Sequence, residues 1–147
     1  TDNDFETTIT SVDATADRTI TFPDSSGTVA LVGDTVDSVT LNNGLITTGV
    51  STTTATDQTS IDSFSASTYR SAKYNVQVTR GSEYQTTEIS VIHDGSDSYG
   101  TEYATIKTGV SLATFSTDVS GGNVRLLATP SSATSTVFKL FRTTTEV

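Results

Sequence analysis

The chain has no cysteine, no methionine and no tryptophan, and it has two prolines and one histidine in 147 residues. Without cysteine there is no disulfide staple and no thiolate to ligate metal or attack a substrate. Cations are scarce as well. Eight Lys and Arg stand against seventeen Asp and Glu, giving a formal net charge of -9. Nucleic acid is held by clustered cations that displace counterions, so this balance argues against it. An anionic membrane surface is disfavoured for the same reason. No apolar run approaches the ~20 residues that span a bilayer, and no cationic, apolar leader opens the chain. With no initiator methionine, the sequence is expected to be a piece of, or processed from, something longer.

Ser and Thr together make up roughly a third of the chain. Thr is β-branched and favours strands, and Ser favours turns. The hydrophobic fraction is 33% and the mean hydropathy is -0.17, lean for a globular domain. Alternating Val, Ile, Phe and Tyr nevertheless set it apart from a disordered chain. The charge is uneven. Residues 1–62 carry ten acidic groups and one basic group, a balance of -9, whereas residues 63–147 carry seven of each. An acidic arm thus precedes a neutral body.

Period-two patterning runs throughout. In residues 1–34, Phe5, Thr7 and Ile9 alternate with Glu6, Thr8 and Thr10. Arg18 to Phe22 and Val29 to Val32 alternate again, which predicts strands near 5–12, 18–22 and 28–32. Three short strands bury little alone. Phe5, Ile9, Ile20, Phe22, Val29 and Leu31 are therefore expected to pack against neighbouring copies. Residues 35–59 hold a turn signal, Asn42-Asn43-Gly44, and a polar run, TTGVSTTTATDQT, expected to be a shaft or linker. Residues 60–147 predict seven short strands. These lie near Ile61–Ser65, Tyr74–Val78, Ile89–His93, Tyr99–Thr108, Ala113–Val119, Val124–Thr129 and Val137–Arg142. Breaks at Arg80-Gly81-Ser82, Asp94-Gly95-Ser96-Asp97, Ser120-Gly121-Gly122-Asn123 and Pro130-Ser131-Ser132 separate them. The expected fold is all-β, an N-terminal β arm or shaft followed by an antiparallel β-sandwich.

Several segments carry a resemblance. Ala16-Asp17-Arg18-Thr19-Ile20-Thr21-Phe22-Pro23-Asp24 with Gly27-Thr28-Val29-Ala30-Leu31 resembles structural and tail-fibre-like proteins of tailed phages, especially those infecting marine cyanobacteria. Tyr69 to Tyr74, Val76 to Gly81, Tyr84 to Glu88, Val91 to Gly95, Thr101 to Thr105 and Gly121 to Pro130 resemble the ends of the same proteins. The resemblance implies a virion part made in the host cytoplasm, exposed on the particle or tail. It implies a homotrimeric fibre touching other virion proteins and contributing to host attachment. A carbohydrate-binding sandwich and a capsid or neck fibre are the alternatives.

Candidate chemistry is sparse. His93 lies beside Asp94 and near Ser90. On one strand Ser90 and His93 point to opposite faces, and no Gly-x-Ser-x-Gly elbow is present. His93 is expected to end a strand with a ring nitrogen bonded near a turn. Asp94-Gly95-Ser96-Asp97 reads as a hairpin turn, since a calcium loop needs further oxygen ligands at alternating positions. Glu83, Glu88, Asp94 and Glu102 could form a glycosidase pair only if the fold brought two together. The chain is accordingly expected to be no enzyme and to carry no cofactor or metal. Tyr84, Tyr99 and Tyr103 are the candidate contacts for a host glycan, against the alternative that each ring closes a sheet edge.

Overall fold

A computed structural model of the chain describes residues 36–147. The expected strands within 1–34, and with them Phe5, Ile9, Ile20, Phe22, Val29 and Leu31, lie outside the described residues. Nine strands and no helix make up the described part: β1 (Ser38–Leu41), β2 (Gly44–Thr53), β3 (Thr59–Ser65), β4 (Tyr69–Arg80), β5 (Glu83–His93), β6 (Ser98–Lys107), β7 (Ala113–Ser120), β8 (Asn123–Pro130) and β9 (Thr136–Glu146). The fold is all-β, and every pairing is antiparallel. Six strands form one sheet in the order β1-β2-β9-β4-β5-β6, and three form a second in the order β3-β8-β7.

The core lies between the sheets, and strict alternation builds it. Ala72, Tyr74, Val76 and Val78 of β4 point inward, with Ile89 and Val91 of β5 and Phe138 and Leu140 of β9. The small sheet answers with Ile61, Phe64, Val124, Leu126 and Ala128. Phe115 of β7 meets Phe138 edge-on at 6.2 Å between ring centroids, a favoured aromatic geometry. The turn signals fall where strands reverse. Gly81 and Ser82 join β4 to β5, and Gly121 and Gly122 join β7 to β8. Gly81, Gly121 and Gly122 all have positive φ, a conformation glycine adopts without steric cost.

Two local outcomes add to the sequence pattern. The Asn42-Asn43-Gly44 signal does mark a reversal, with Asn42 and Asn43 joining β1 to β2, and Gly44 is the first residue of β2, facing Leu41 and Thr145. A Cβ there would sit 2.1 Å from the Thr144 carbonyl oxygen, so close backbone approach is what requires glycine. The run that begins TTGVSTT is not threaded as a polar connector. It forms most of β2 and pairs with β9 from Gly44–Thr145 to Thr53–Thr136. Its hydropathy pattern is weak, but β-branched threonines suit a strand wherever a partner edge offers hydrogen bonds.

One end of the core is polar. Arg142, inward on β9, donates to the Asp62 carboxylate and, at 2.8 Å, to the Ser63 carbonyl. Its guanidinium lies over the Phe64 ring, 5.7 Å from the centroid. Tyr74, directly opposite Arg142 on β4, is fully buried, and its hydroxyl has no hydrogen-bond partner. Burial is the main reason its ionisation is pushed well above the ordinary tyrosine range, with the Asp62 charge adding to it.

Candidate binding face

The outward face of the six-stranded sheet is where the chain departs from an ordinary sandwich. An outer face normally alternates to polar side chains. Here β1 and β2 turn out Val39, Leu41 and Val50, β9 turns out Phe141, and β5 and β6 turn out Tyr84, Ile92, Tyr99, Tyr103 and Ile106. Val50 and Ile106 are each 70% exposed and Tyr99 is 58% exposed. They form two groups on one face, separated by the polar outward residues Lys73, Asn75, Gln77 and Thr79 of β4, whereas exposed apolar residues scattered singly would need no explanation.

The register of β5 against β6 orders the aromatic part. Ile92 faces Tyr99, Ser90 faces Thr101, Glu88 faces Tyr103 and Thr86 faces Ile106. Tyr84 follows at the far end, its N–H bonded to the Thr108 hydroxyl at 3.0 Å. The three tyrosines singled out from the sequence therefore share one face, on two neighbouring strands. None closes an edge with its ring buried. Two shallow grooves flank them, one lined by Tyr84, Thr86, Gln77 and Ile106, the other by Ser90, Ile92, Tyr99 and Thr101.

Charge sits in the middle of this face. Lys73 Nζ is 2.7 Å from Glu88 Oε2 and 5.7 Å from the centroid of the Tyr103 ring. The Glu88 bond is the main reason Lys73 holds its proton above the usual range, and the same bond from Lys73 holds Glu88 below the usual carboxylate range. The Tyr103 hydroxyl lies 3.3 Å from Ser90 Oγ. At the sheet end, the Tyr99 hydroxyl donates to Asp94 Oδ2 at 3.2 Å. Asp94 Oδ1 accepts the N–H groups of Ser96 and Asp97, both at 2.9 Å. The backbone bonds from Asp97 and Ser96 hold its carboxyl low, and the bond to Asp94 raises Tyr99. The DGSD segment is thus an Asx turn that orients Tyr99. Ile92, Ile106 and Lys73 belong to this face and were not singled out from the sequence, and Glu88, named there only as one of four carboxylates, pairs with Lys73 on it. The signal was present in Val91-Ile92, where an apolar pair breaks strict alternation.

His93 ends β5 on the inner face, with Nε2 2.7 Å from the Tyr69 carbonyl oxygen. Ser90 lies on the outer face beside Tyr103, so the two side chains are separated by the sheet. Among the described residues no group of three or more His, Asp or Glu side chains is gathered as metal ligands would be.

Solved phage tailspikes match the chain. One is the tailspike of Acinetobacter baumannii phage AM24, at 12% identity and a TM-score of 0.40, covering 67% of this chain. A second is tailspike gp49 of A. baumannii bacteriophage Fri1, described as a capsular polysaccharide depolymerase, at 12% identity and a TM-score of 0.46 over 79% of this chain. A third is the tailspike of Acinetobacter phage vB_ApiP_P1, at 14% identity and a TM-score of 0.42 over 82%. The matched parts are 26%, 22% and 25% of those chains, so this chain spans about a quarter of their length. No protein-family model matches the chain, and no curated protein sequence is detectably similar to it.

These neighbours bring two corrections. They come from phages of Acinetobacter, and none supports a cyanobacterial host. The expectation that the chain is no enzyme is overturned by the tailspike described as a depolymerase. That expectation rested on the lack of a local catalytic motif. Carboxylates for glycoside hydrolysis are set about 5–10 Å apart by the fold, or between chains, and leave no fixed spacing in sequence.

Proposed function

We propose that the chain is part of a phage tail appendage, assembled from copies of itself, and that the tyrosine-bearing outer face of β5 and β6 contacts host-surface polysaccharide. The observation that carries this reading is the concentration of exposed aromatic and aliphatic side chains on one face of one sheet. Tyrosine rings offer flat apolar surface with a wet hydroxyl, which suits the C–H faces and hydroxyls of sugars. The tail-fibre resemblance of the sequence points the same way. The apolar group on β1, β2 and β9, with Val39, Leu41, Val50 and Phe141, is the surface we assign to contact between copies.

Saturable binding to purified capsular or envelope polysaccharide of a bacterial host is the expected result, weakened in Tyr99→Ala and in Tyr84→Ala. Absence of binding to every host surface fraction would remove the attachment reading. Light scattering on the full chain is expected to give the mass of three copies. Release of reducing ends from the polysaccharide that binds would show that the appendage also cuts what it holds.

A further inference from the structure

The second face of β6 carries a different feature. β6 is exposed along nearly its whole length, because β7 approaches it closely near its start and then leaves it open. The close approach is at Gly100. A Cβ there would lie 3.1 Å from Thr117 Oγ1, and Ser98 Oγ donates to the same Thr117 oxygen at 2.9 Å. Beyond that point β6 is bulged. Ala104 and Thr105 together oppose Thr87, and Ala104 has φ 53. Such bulges bend a strand, and the left-handed position is one normally given to glycine. Between the tie and the bulge lies a slot of about 290 Å3, with Glu102 on the β6 wall, Phe115, Ser116 and Thr117 on the β7 wall, and Ile89 at its base.

Glu102 is held rather than loose. The hydroxyl of Thr87, itself 1% exposed, lies 2.9 Å from Glu102 Oε1, 3.1 Å from the Tyr103 carbonyl oxygen and 2.8 Å from the Thr105 hydroxyl. Thr105 Oγ1 also donates to Glu102 Oε1, at 3.1 Å. Oε2 has no protein partner among the described residues. An ionised carboxylate is an acceptor only. Fixed in advance, it takes hydroxyl donors with little ordering cost and with charge-assisted strength. Phe115, Ser116 and Thr117 line the facing wall, where Thr117 Oγ1 already accepts from Ser98 Oγ and Ser116 Oγ from Gln58 Nε2.

We propose that this slot binds one sugar ring without negative charge, with Glu102 accepting its hydroxyls and Phe115 against its C–H face. The proposal rests on the reading of the chain as a polysaccharide-contacting appendage, and gives that reading a second contact across the same edge strand. Size fits a single ring, since clefts for larger ligands run about 300–1,000 Å3. Charge sets the class. A uronate would bring a second carboxylate towards Glu102, whereas neutral and amino sugars would not.

The test uses backbone amide NMR spectra of the full chain titrated with methyl glucoside, methyl galactoside, N-acetylglucosamine, glucosamine and glucuronate. Saturable shifts confined to 98–102 and 115–117 are expected with at least one neutral or amino sugar, and none with glucuronate. Glu102→Gln keeps the acceptor for Thr87 and Thr105, and is expected to weaken that binding about tenfold or more. Tyr99→Ala should leave the slot shifts unchanged. Slot binding that survives Glu102→Gln, or that accepts glucuronate equally, would overturn the proposal. Shifts only around Tyr99 and Tyr103 would overturn the slot while leaving the attachment reading standing. Silence at both places would overturn the slot, and the polysaccharide assay would then judge the attachment reading by itself.

Discussion

A cation, a carboxylate and a tyrosine meet at each face of the six-stranded sheet. On the inside Arg142 and Tyr74 meet Asp62, which reaches across from β3 of the small sheet; on the outside Lys73, Glu88 and Tyr103 all belong to the six-stranded sheet itself. Burial decides what each trio does. The inner one lies between the two sheets, largely closed from solvent, where a broken partnership leaves a poorly compensated charge. The outer one keeps its water, contributes little to folding, and remains free to bind. Residue type alone therefore does not decide whether such a trio is closed into the core or open to solvent in this fold. The face does, and the face follows from strand register.

The largest expected effect breaks the inner trio. Arg142→Ala should cost about 3 kcal/mol, because Asp62 and the Ser63 carbonyl lose their donor in a largely closed site. A urea titration checks it. Replacing both partners, with Arg142→Met and Asp62→Leu, should recover most of the loss, since well-packed apolar pairs often match a buried ion pair. Recovery would show that the pair contributes specificity more than stability.

Tyr74→Phe sharpens the same point. The hydroxyl is buried without a partner, so its removal should change stability at neutral pH by less than about 1 kcal/mol. The alkaline limb should change more. Burial raises the folded-state pKa of Tyr74 above its unfolded value. Its contribution is therefore fully present below the ordinary tyrosine value of about 10 and is lost as pH rises beyond it. Urea midpoints measured between neutral pH and about pH 11 should fall less steeply in Tyr74→Phe than in the parent. Equal slopes would mean that the ring is not sealed.

Much of this was legible in the sequence. The alternation of Tyr74, Val76 and Val78, and of Ile89 and Val91, marked inward faces, and the glycine turns at 81 and 121–122 marked reversals. The tyrosines at 84, 99 and 103 could be named, but their sharing of one face could not. That depends on the pairing of Glu88 with Tyr103 and on the one-residue bulge at Ala104, which no local pattern encodes. β2 was hidden because a threonine-rich strand looks like a linker until β9 lies beside it. The turn at Asn42-Asn43-Gly44 was legible, but the second requirement for glycine at 44 was not, since it comes from a backbone 100 residues away in sequence.

An intermediate effect belongs to acid. Glu88, Asp94 and Asp118 are all held below the ordinary carboxylate range, by Lys73, by the amides of Asp97 and Ser96, and by the Arg125 guanidinium respectively. Their folded-state values lie below the unfolded ones. Their contributions are therefore present above the unfolded values near 4 and disappear as pH falls through the folded ones. Stability should be flat from neutral pH to about pH 5 and decline below about pH 4. Asp118→Asn should flatten that decline without moving the neutral-pH midpoint greatly, since both partners are largely solvated. A decline beginning near pH 6 would point to a group other than these carboxylates.

The smallest expected effect on folding is also the sharpest test of the comparison. Lys73→Ala removes the outer cation, an exposed group beside a partly exposed partner, and should leave the urea midpoint unchanged within error. It should still matter at the surface. Lys73 holds Glu88 on one side and covers the Tyr103 ring on the other, so its loss uncovers the ring and frees the carboxylate. Binding of a neutral polysaccharide should then change while stability does not, and Tyr103→Ala should change binding in the opposite sense if the ring is the platform. A Lys73→Ala protein that unfolds more readily would assign the outer trio a structural role, and the division of labour between the two faces would fail.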